Sequence, residues 1–74
     1  MSQEIFLNSL CDIMELEEGA LTMSDRLLDY EEWDSLSVLG LGVFIKKNFE
    51  RSLTTEAVNR FVTVKDIYDY CIGE

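Results

Sequence analysis

The run DSLSVLGLGVFIKKNF, residues 34–49, decides the fold. Asp34 and Ser35 are both strong helix N-cap types, and an acid there complements the positive end of a helix dipole. Behind them Leu41, Ile45 and Phe49 recur every four residues, flanked by Val38 and Phe44. That is an inward stripe at helical period, and it predicts a helix from Asp34-Ser35 to Phe49.

Downstream, Thr55 to Arg60 fits a short helix capped by Thr54 or Thr55. Thr63-Val64-Lys65-Asp66 is a capping-box pattern, with an acid three residues after the threonine. Val64, Ile67, Tyr68 and Cys71 then form an apolar face, and Gly73 ends the segment. Upstream, Ser2 to Glu18 reads as an amphipathic helix, with Phe6, Leu10 and Ile13 beside a second row of Leu7, Cys11 and Met14. Ser2 is its expected cap and Gly19 its expected stop. From Gly19 to Trp33 the period breaks down. A loop this long in so small a domain is usually functional or internally packed. Leu21, Met23, Leu27 and Leu28 are expected to pin it to the core, with Ser24 starting a single turn. The one strand-like stretch, Phe61 to Val64, is too short to build a sheet. The expected fold is all-α, a small four-helix bundle of long, long, short and medium helices with a long loop between the first two.

Seventy-four residues allow one domain, spanning 1–74. Hydrophobic content of 47% with 28% charged residues is the composition of a folded chain. The net charge of −9 argues against binding nucleic acid or an anionic membrane surface, and a basic protein is its natural counterpart. The charge is unevenly placed. Residues 1–37 hold ten acids and one base, Arg26, whereas residues 38–74 hold five of each.

With no histidine, neither a Ser-His-Asp nor a Cys-His apparatus can be built, and histidine-bearing metal sites are excluded. Cys11 and Cys71 lie sixty positions apart and match no metal or redox spacing. They are expected as free core thiols, with a disulfide or a reactive site as the other readings. No catalytic residue and no metal site are expected. The N-terminus lacks the basic region of a signal peptide, and the longest uncharged apolar run, Val38 to Ile45, is too short to span a bilayer. The chain reads as cytoplasmic.

Asp34-Ser35-Leu36 opens the second helix at mid-chain of an acidic protein, after a long acidic loop. The Leu41-Ile45-Phe49 stripe follows, then Leu53-Thr54-Thr55-Glu56, the Thr63-Val64 cap and Ile67-Tyr68-Asp69-Tyr70. In this arrangement the chain resembles the acyl carrier proteins. The resemblance covers nearly all of it, most tightly from Asp34 to Ile72 and most loosely from Gly19 to Trp33. It implies that Ser35 carries 4′-phosphopantetheine, attached by a separate phosphopantetheinyl transferase that uses coenzyme A. It also implies an acyl- or aminoacyl-loading ligase and downstream synthase or transferase enzymes as partners. Contact with them is expected at Asp34, Leu36, Val38 and Leu39, although core packing is the other role open to the three apolar residues. Leu41, Ile45, Phe61 and Ile67 are the expected walls of an acyl cavity. A monomer is expected.

The residues support a modified site on their own account. A helix N-terminus presents unpaired N–H groups and a positive dipole end, which suit a phosphodiester. No histidine or lysine adjoins Ser35 to activate its hydroxyl as a catalytic nucleophile. The plainer role of the pair Asp34 and Ser35 is a helix cap, and both can hold at once.

Three features depart from the family pattern. Glu31-Glu32-Trp33 stands where many members have glycine before Asp-Ser. Trp33 is expected to brace the loop, with contact to the prosthetic arm as its other role. The second helix, normally acidic in the family, here carries Lys46 and Lys47. Gly40 and Gly42 lie inside it, each costing about 1 kcal/mol relative to alanine, for close approach of a ligand or for tight helix packing. These departures point to a carrier for lipid, polyketide or other specialised synthesis rather than the housekeeping fatty-acid carrier. An aminoacyl or peptidyl carrier is the alternative within the class. An unmodified acidic helical adaptor for a basic protein is the alternative outside it.

Overall fold

Four short polar side chains start four helices in the computed structural model, which describes residues 1–73; Glu74, one of the acids counted above, lies outside them. Ser2 Oγ accepts the Ile5 N–H at 3.2 Å and starts α1 (Gln3–Ile13). Asp34 Oδ1 accepts the Ser37 N–H at 3.0 Å and starts α2 (Ser35–Phe49). Thr54 Oγ1 accepts the Ala57 N–H at 3.1 Å and starts α3 (Thr55–Arg60). Thr63 Oγ1 accepts the Asp66 N–H at 3.4 Å and starts α4 (Val64–Ile72). Each bond satisfies an N–H that has no partner within its own helix. At α4 the box is reciprocal, because Asp66 Oδ2 accepts the N–H groups of Thr63 at 3.0 Å and Val62 at 2.9 Å. Those two donors hold the Asp66 carboxyl below the usual aspartate range.

The ends follow the expected chemistry with one correction. Gly73 closes α4 at φ +85°, a left-handed conformation suited to glycine. α1 stops at Ile13 rather than running to Glu18. Its cap is a Schellman motif, in which Leu16 N–H reaches the Cys11 carbonyl at 2.8 Å and Glu15 N–H reaches Asp12 at 3.2 Å. Glu15 takes the left-handed position at φ +58°, which a glycine usually fills. Gly19, at φ +84°, instead forms the tight turn in which Ala20 N–H bonds the Glu17 carbonyl at 3.0 Å.

The core draws on three helices and the loop. Phe6, Leu10, Cys11 and Met14 come from α1 and its cap, Leu41 and Ile45 from α2, and Val64, Ile67 and Cys71 from α4. Leu21 and Leu27 are buried with them. Leu28 is not: it is 85% exposed, against the expectation that it pins the loop. The single turn also falls later than expected, as a 3₁₀ turn at Leu27–Asp29 rather than at Ser24. The loop is tied instead through its backbone. Leu27 N–H donates to the Val62 carbonyl at 2.9 Å, Val64 N–H to Asp25 at 3.0 Å, and Lys65 N–H to Met23 at 2.9 Å. An isolated antiparallel bridge, Arg26 to Thr63, sits among these bonds, and no strand forms among the described residues.

α3 contributes no buried residue. Leu53 and Phe61, at its two ends, are half-buried against the core. Both cysteines are free and buried, as expected of core thiols. No described helix is long and apolar enough to cross a membrane.

Candidate functional site

Ser35 is the first residue of α2, and its side chain is exposed. Its hydroxyl bonds to no other described residue. The N-cap role falls to Asp34, whose extended backbone (φ −137°, ψ −172°) turns the chain into the helix. Ser35 is thus released from capping, at the end of the helix where N–H groups point outward and the dipole is positive.

Ser37 holds this turn in place, a role that sequence reasoning missed. It is 4% exposed, the one buried polar residue among those described. Its N–H bonds Asp34 Oδ1, and its hydroxyl lies between the Glu32 carbonyl and Asp34 Oδ1, at 3.3 Å from the latter. The spacing could have revealed it: Ser37 is three residues after the cap, where a polar side chain can reach back. Trp33 is half-buried against the core, which fits the bracing role, and its N–H bonds the Tyr30 carbonyl at 3.2 Å.

Tyr30 in turn fastens the loop that leads to Ser35. Its hydroxyl donates to Asp25 Oδ2 at 2.9 Å and lies 3.4 Å from the Ala20 carbonyl. Asp25 Oδ2 also accepts the Thr22 N–H at 2.9 Å. The Thr22 N–H and the Tyr30 hydroxyl together lower the Asp25 pKa, while the bond to Asp25 raises that of Tyr30.

The expected contact residues divide. Asp34 is exposed but occupied as the cap. Leu36 and Leu39 are 76% and 68% exposed, whereas Val38 is half-buried. Val43, at 63% exposed, continues the Leu36–Leu39 row at the next turn, and only its spacing could have marked it. Between Ser35 and Phe49 there is no acidic residue, so α2 carries two positive charges, Lys46 and Lys47, in a chain of net charge −9.

The four residues expected to wall an acyl cavity divide between the core and a separate pocket of about 410 Å³, which Phe61 lines. Leu41, Ile45 and Ile67 are fully buried members of the packed core, and Phe61 meets the Tyr70 ring edge-on with centroids 5.7 Å apart. The open space adjoining α2 lies on its other side. There a groove of about 690 Å³ runs between α2 and α3, and none of the four residues lines it. Val38, Leu39, Gly42, Val43, Leu53 and Val58 form its apolar wall, with Lys46 and Lys47 also lining it. α3 contributes no fully buried residue, and sequence periodicity does not report the groove between it and α2.

The two helical glycines separate accordingly. A Cβ on Gly40 would meet Ile13 Cγ2 at 3.3 Å, so Gly40 serves the close packing of α2 on α1. A Cβ on Gly42 would lie 3.9 Å from Leu53, an ordinary contact, so Gly42 widens the groove without being required by packing. Among the described residues no group of three or more Cys, Asp and Glu side chains is gathered as a metal would need. Comparison with protein-family models, with curated proteins and with solved structures finds no match for the chain.

Proposed function

We propose that the chain is a discrete carrier protein of the acyl-carrier type, bearing 4′-phosphopantetheine on Ser35. The observation that carries this reading is the division of labour at the start of α2. Asp34 caps the helix, leaving the adjacent Ser35 hydroxyl exposed and bonded to no other described residue, within a turn that Ser37 fixes. A residue needed only as a cap would be engaged, as Asp34 is. The group supplies a flexible arm ending in a thiol, on which cargo is held as a thioester. The chain's own part is to present Ser35 Oγ, to favour the phosphodiester charge with the outward N–H groups of α2, and to offer Leu36 and Leu39 to partner enzymes. The basic α2 supports a specialised lipid, polyketide or related pathway, since enzymes that select an acidic second helix are disfavoured here. An aminoacyl or peptidyl cargo uses the same site, and loading assays with candidate ligases separate the two.

The experiment is intact mass before and after incubation with coenzyme A and a broad-specificity phosphopantetheinyl transferase. A gain of one phosphopantetheine unit is expected in the wild type and none in Ser35→Ala. No gain under conditions that modify a control carrier overturns the reading. The exposed row Leu36, Leu39 and Val43 equally suits an unmodified adaptor, which predicts full function in Ser35→Ala.

A further inference from the structure

We propose that the turn at Leu28, with Val62 beside it, is a docking surface for a basic protein, one that offers an apolar pocket ringed by lysine or arginine. Leu28 is 85% exposed and Val62 50% exposed. The bond from the Leu27 N–H to the Val62 carbonyl at 2.9 Å sets their backbones next to each other, alongside the Arg26–Thr63 bridge. A lone exposed leucine is ordinary. This one differs because the turn that carries it is braced. Leu27 is fully buried beneath it, the Tyr30 N–H closes the 3₁₀ turn on the Leu27 carbonyl at 3.1 Å, and the Tyr30 hydroxyl is held by Asp25. A polar residue at Leu28 would serve the turn equally well. The fold instead keeps a large apolar side chain in water on a fixed backbone, which lowers the ordering cost when a partner binds.

Charge names the partner. Asp29, Glu31 and Glu32 follow Leu28 within four residues, and all three are exposed. Their carboxylates bond to no other described residue. Asp25 and Asp34, the other acids of the loop, are committed to Tyr30 and to the α2 cap, and Arg26 is the loop's one base. Three uncompensated carboxylates so close together repel one another, and a cationic surface relieves that repulsion. The other exposed apolar row, Leu36, Leu39 and Val43, runs toward Lys46 and Lys47, so a basic protein is turned away there and drawn to Leu28. The patch is small, which makes the complex a weak and salt-sensitive one. This surface does not depend on Ser35 or on the function proposed above.

The test titrates the unmodified full chain with a short amphipathic leucine–lysine helix and follows the backbone amides by NMR. The largest shifts are expected at Leu28, Asp29 and Val62, with about tenfold weaker binding in Leu28→Ser. Glu31→Gln/Glu32→Gln should weaken binding roughly fivefold at low salt and flatten its dependence on salt. A peptide of the same charge, with serine in place of each leucine, should bind more weakly and be indifferent to Leu28→Ser. Far-UV circular dichroism verifies that each variant is folded, and Val62→Ser is a second probe of the same patch. Ser35→Ala should bind as the wild type does, so that failure of the carrier reading leaves this one standing. The rival site is α1, where Ile5 is 56% exposed next to Glu4. Largest shifts there, or shifts spread over every acid of the chain, overturn the proposal. So does equal affinity of the wild type and Leu28→Ser for the leucine–lysine peptide.

Discussion

Asp34 and Ser37 are bonded through one carboxylate oxygen, which accepts the Ser37 N–H at 3.0 Å and lies 3.3 Å from the Ser37 hydroxyl. The neighbouring Ser35 takes no part. Asp34→Ala should therefore cost about 1 kcal/mol, the usual loss at an N-cap, and lower the melting temperature by roughly 4–8 °C. Ser35→Ala should change stability by less than about 0.5 kcal/mol, as a surface substitution that breaks no bond. Thermal melts of the two variants decide it, and equal damage would mean that Ser35 is part of the cap.

Leu27 and Leu28 are adjacent in sequence and opposite in environment, fully buried and 85% exposed. Leu27→Ala should cost about 2–5 kcal/mol, the range for a buried leucine, which threatens the fold of so small a domain. Leu28→Ala should be neutral within about 0.5 kcal/mol. Urea unfolding of both tests whether the loop belongs to the core. Two similar midpoints would show that Leu27 is not an anchor.

That pair also marks where the sequence stops being legible. The caps Ser2, Asp34 and Thr63 and the stop at Gly73 could be read in advance, because each is a local bond between a side chain or turn and its own helix. α2 and α4 could be read because their apolar periods match the helix. The choice between Leu27 and Leu28 depends on backbone bonds from Leu27 to Val62 and from Val64 to Asp25, which no local pattern encodes. The end of α1 was hidden because Glu15 takes a left-handed conformation that its type does not advertise. At the site, the start of α2 at Asp34-Ser35 was legible from the cap types of the pair. The groove was not, since it depends on how far α3 stands from α2.

Stability should fall on acidification below the usual aspartate value of 3.8, and Asp66 should account for a share of the fall. Its folded pKa is lowered by the N–H groups of Thr63 and Val62, so its contribution is complete above the unfolded value. That contribution is lost as pH drops through the folded one. Asp25, lowered by the Thr22 N–H and the Tyr30 hydroxyl, acts in the same direction. Asp66→Asn should be less stable than the wild type at neutral pH and lose less on acidification. Urea midpoints between about pH 6 and pH 2 test this, and parallel curves for the two proteins would refute it.

Burial pushes the Cys71 thiol up from 9.0 to about 11, against a smaller opposing pull from Arg51. The sign follows from the neutral form being the one the fold prefers. Stability from this group is complete below pH 9 and is lost as pH rises through about 11. At neutral pH its thiolate population is well below that of an ordinary thiol, and its burial hinders access further. Cys11 is equally hidden, at 1% exposed. The folded, unmodified chain should therefore resist iodoacetamide at pH 7 and take up two labels only in denaturant. The proposed modification of Ser35 would change this in a way that no core thiol can imitate. The terminal thiol of such an arm would be exposed, so one label should add rapidly under native conditions, and none should add to Ser35→Ala treated alike. Mass spectrometry counts the labels directly. Rapid native labelling before modification would show that a cysteine of the chain is open to solvent, and would remove the basis for assigning the fast thiol to the arm.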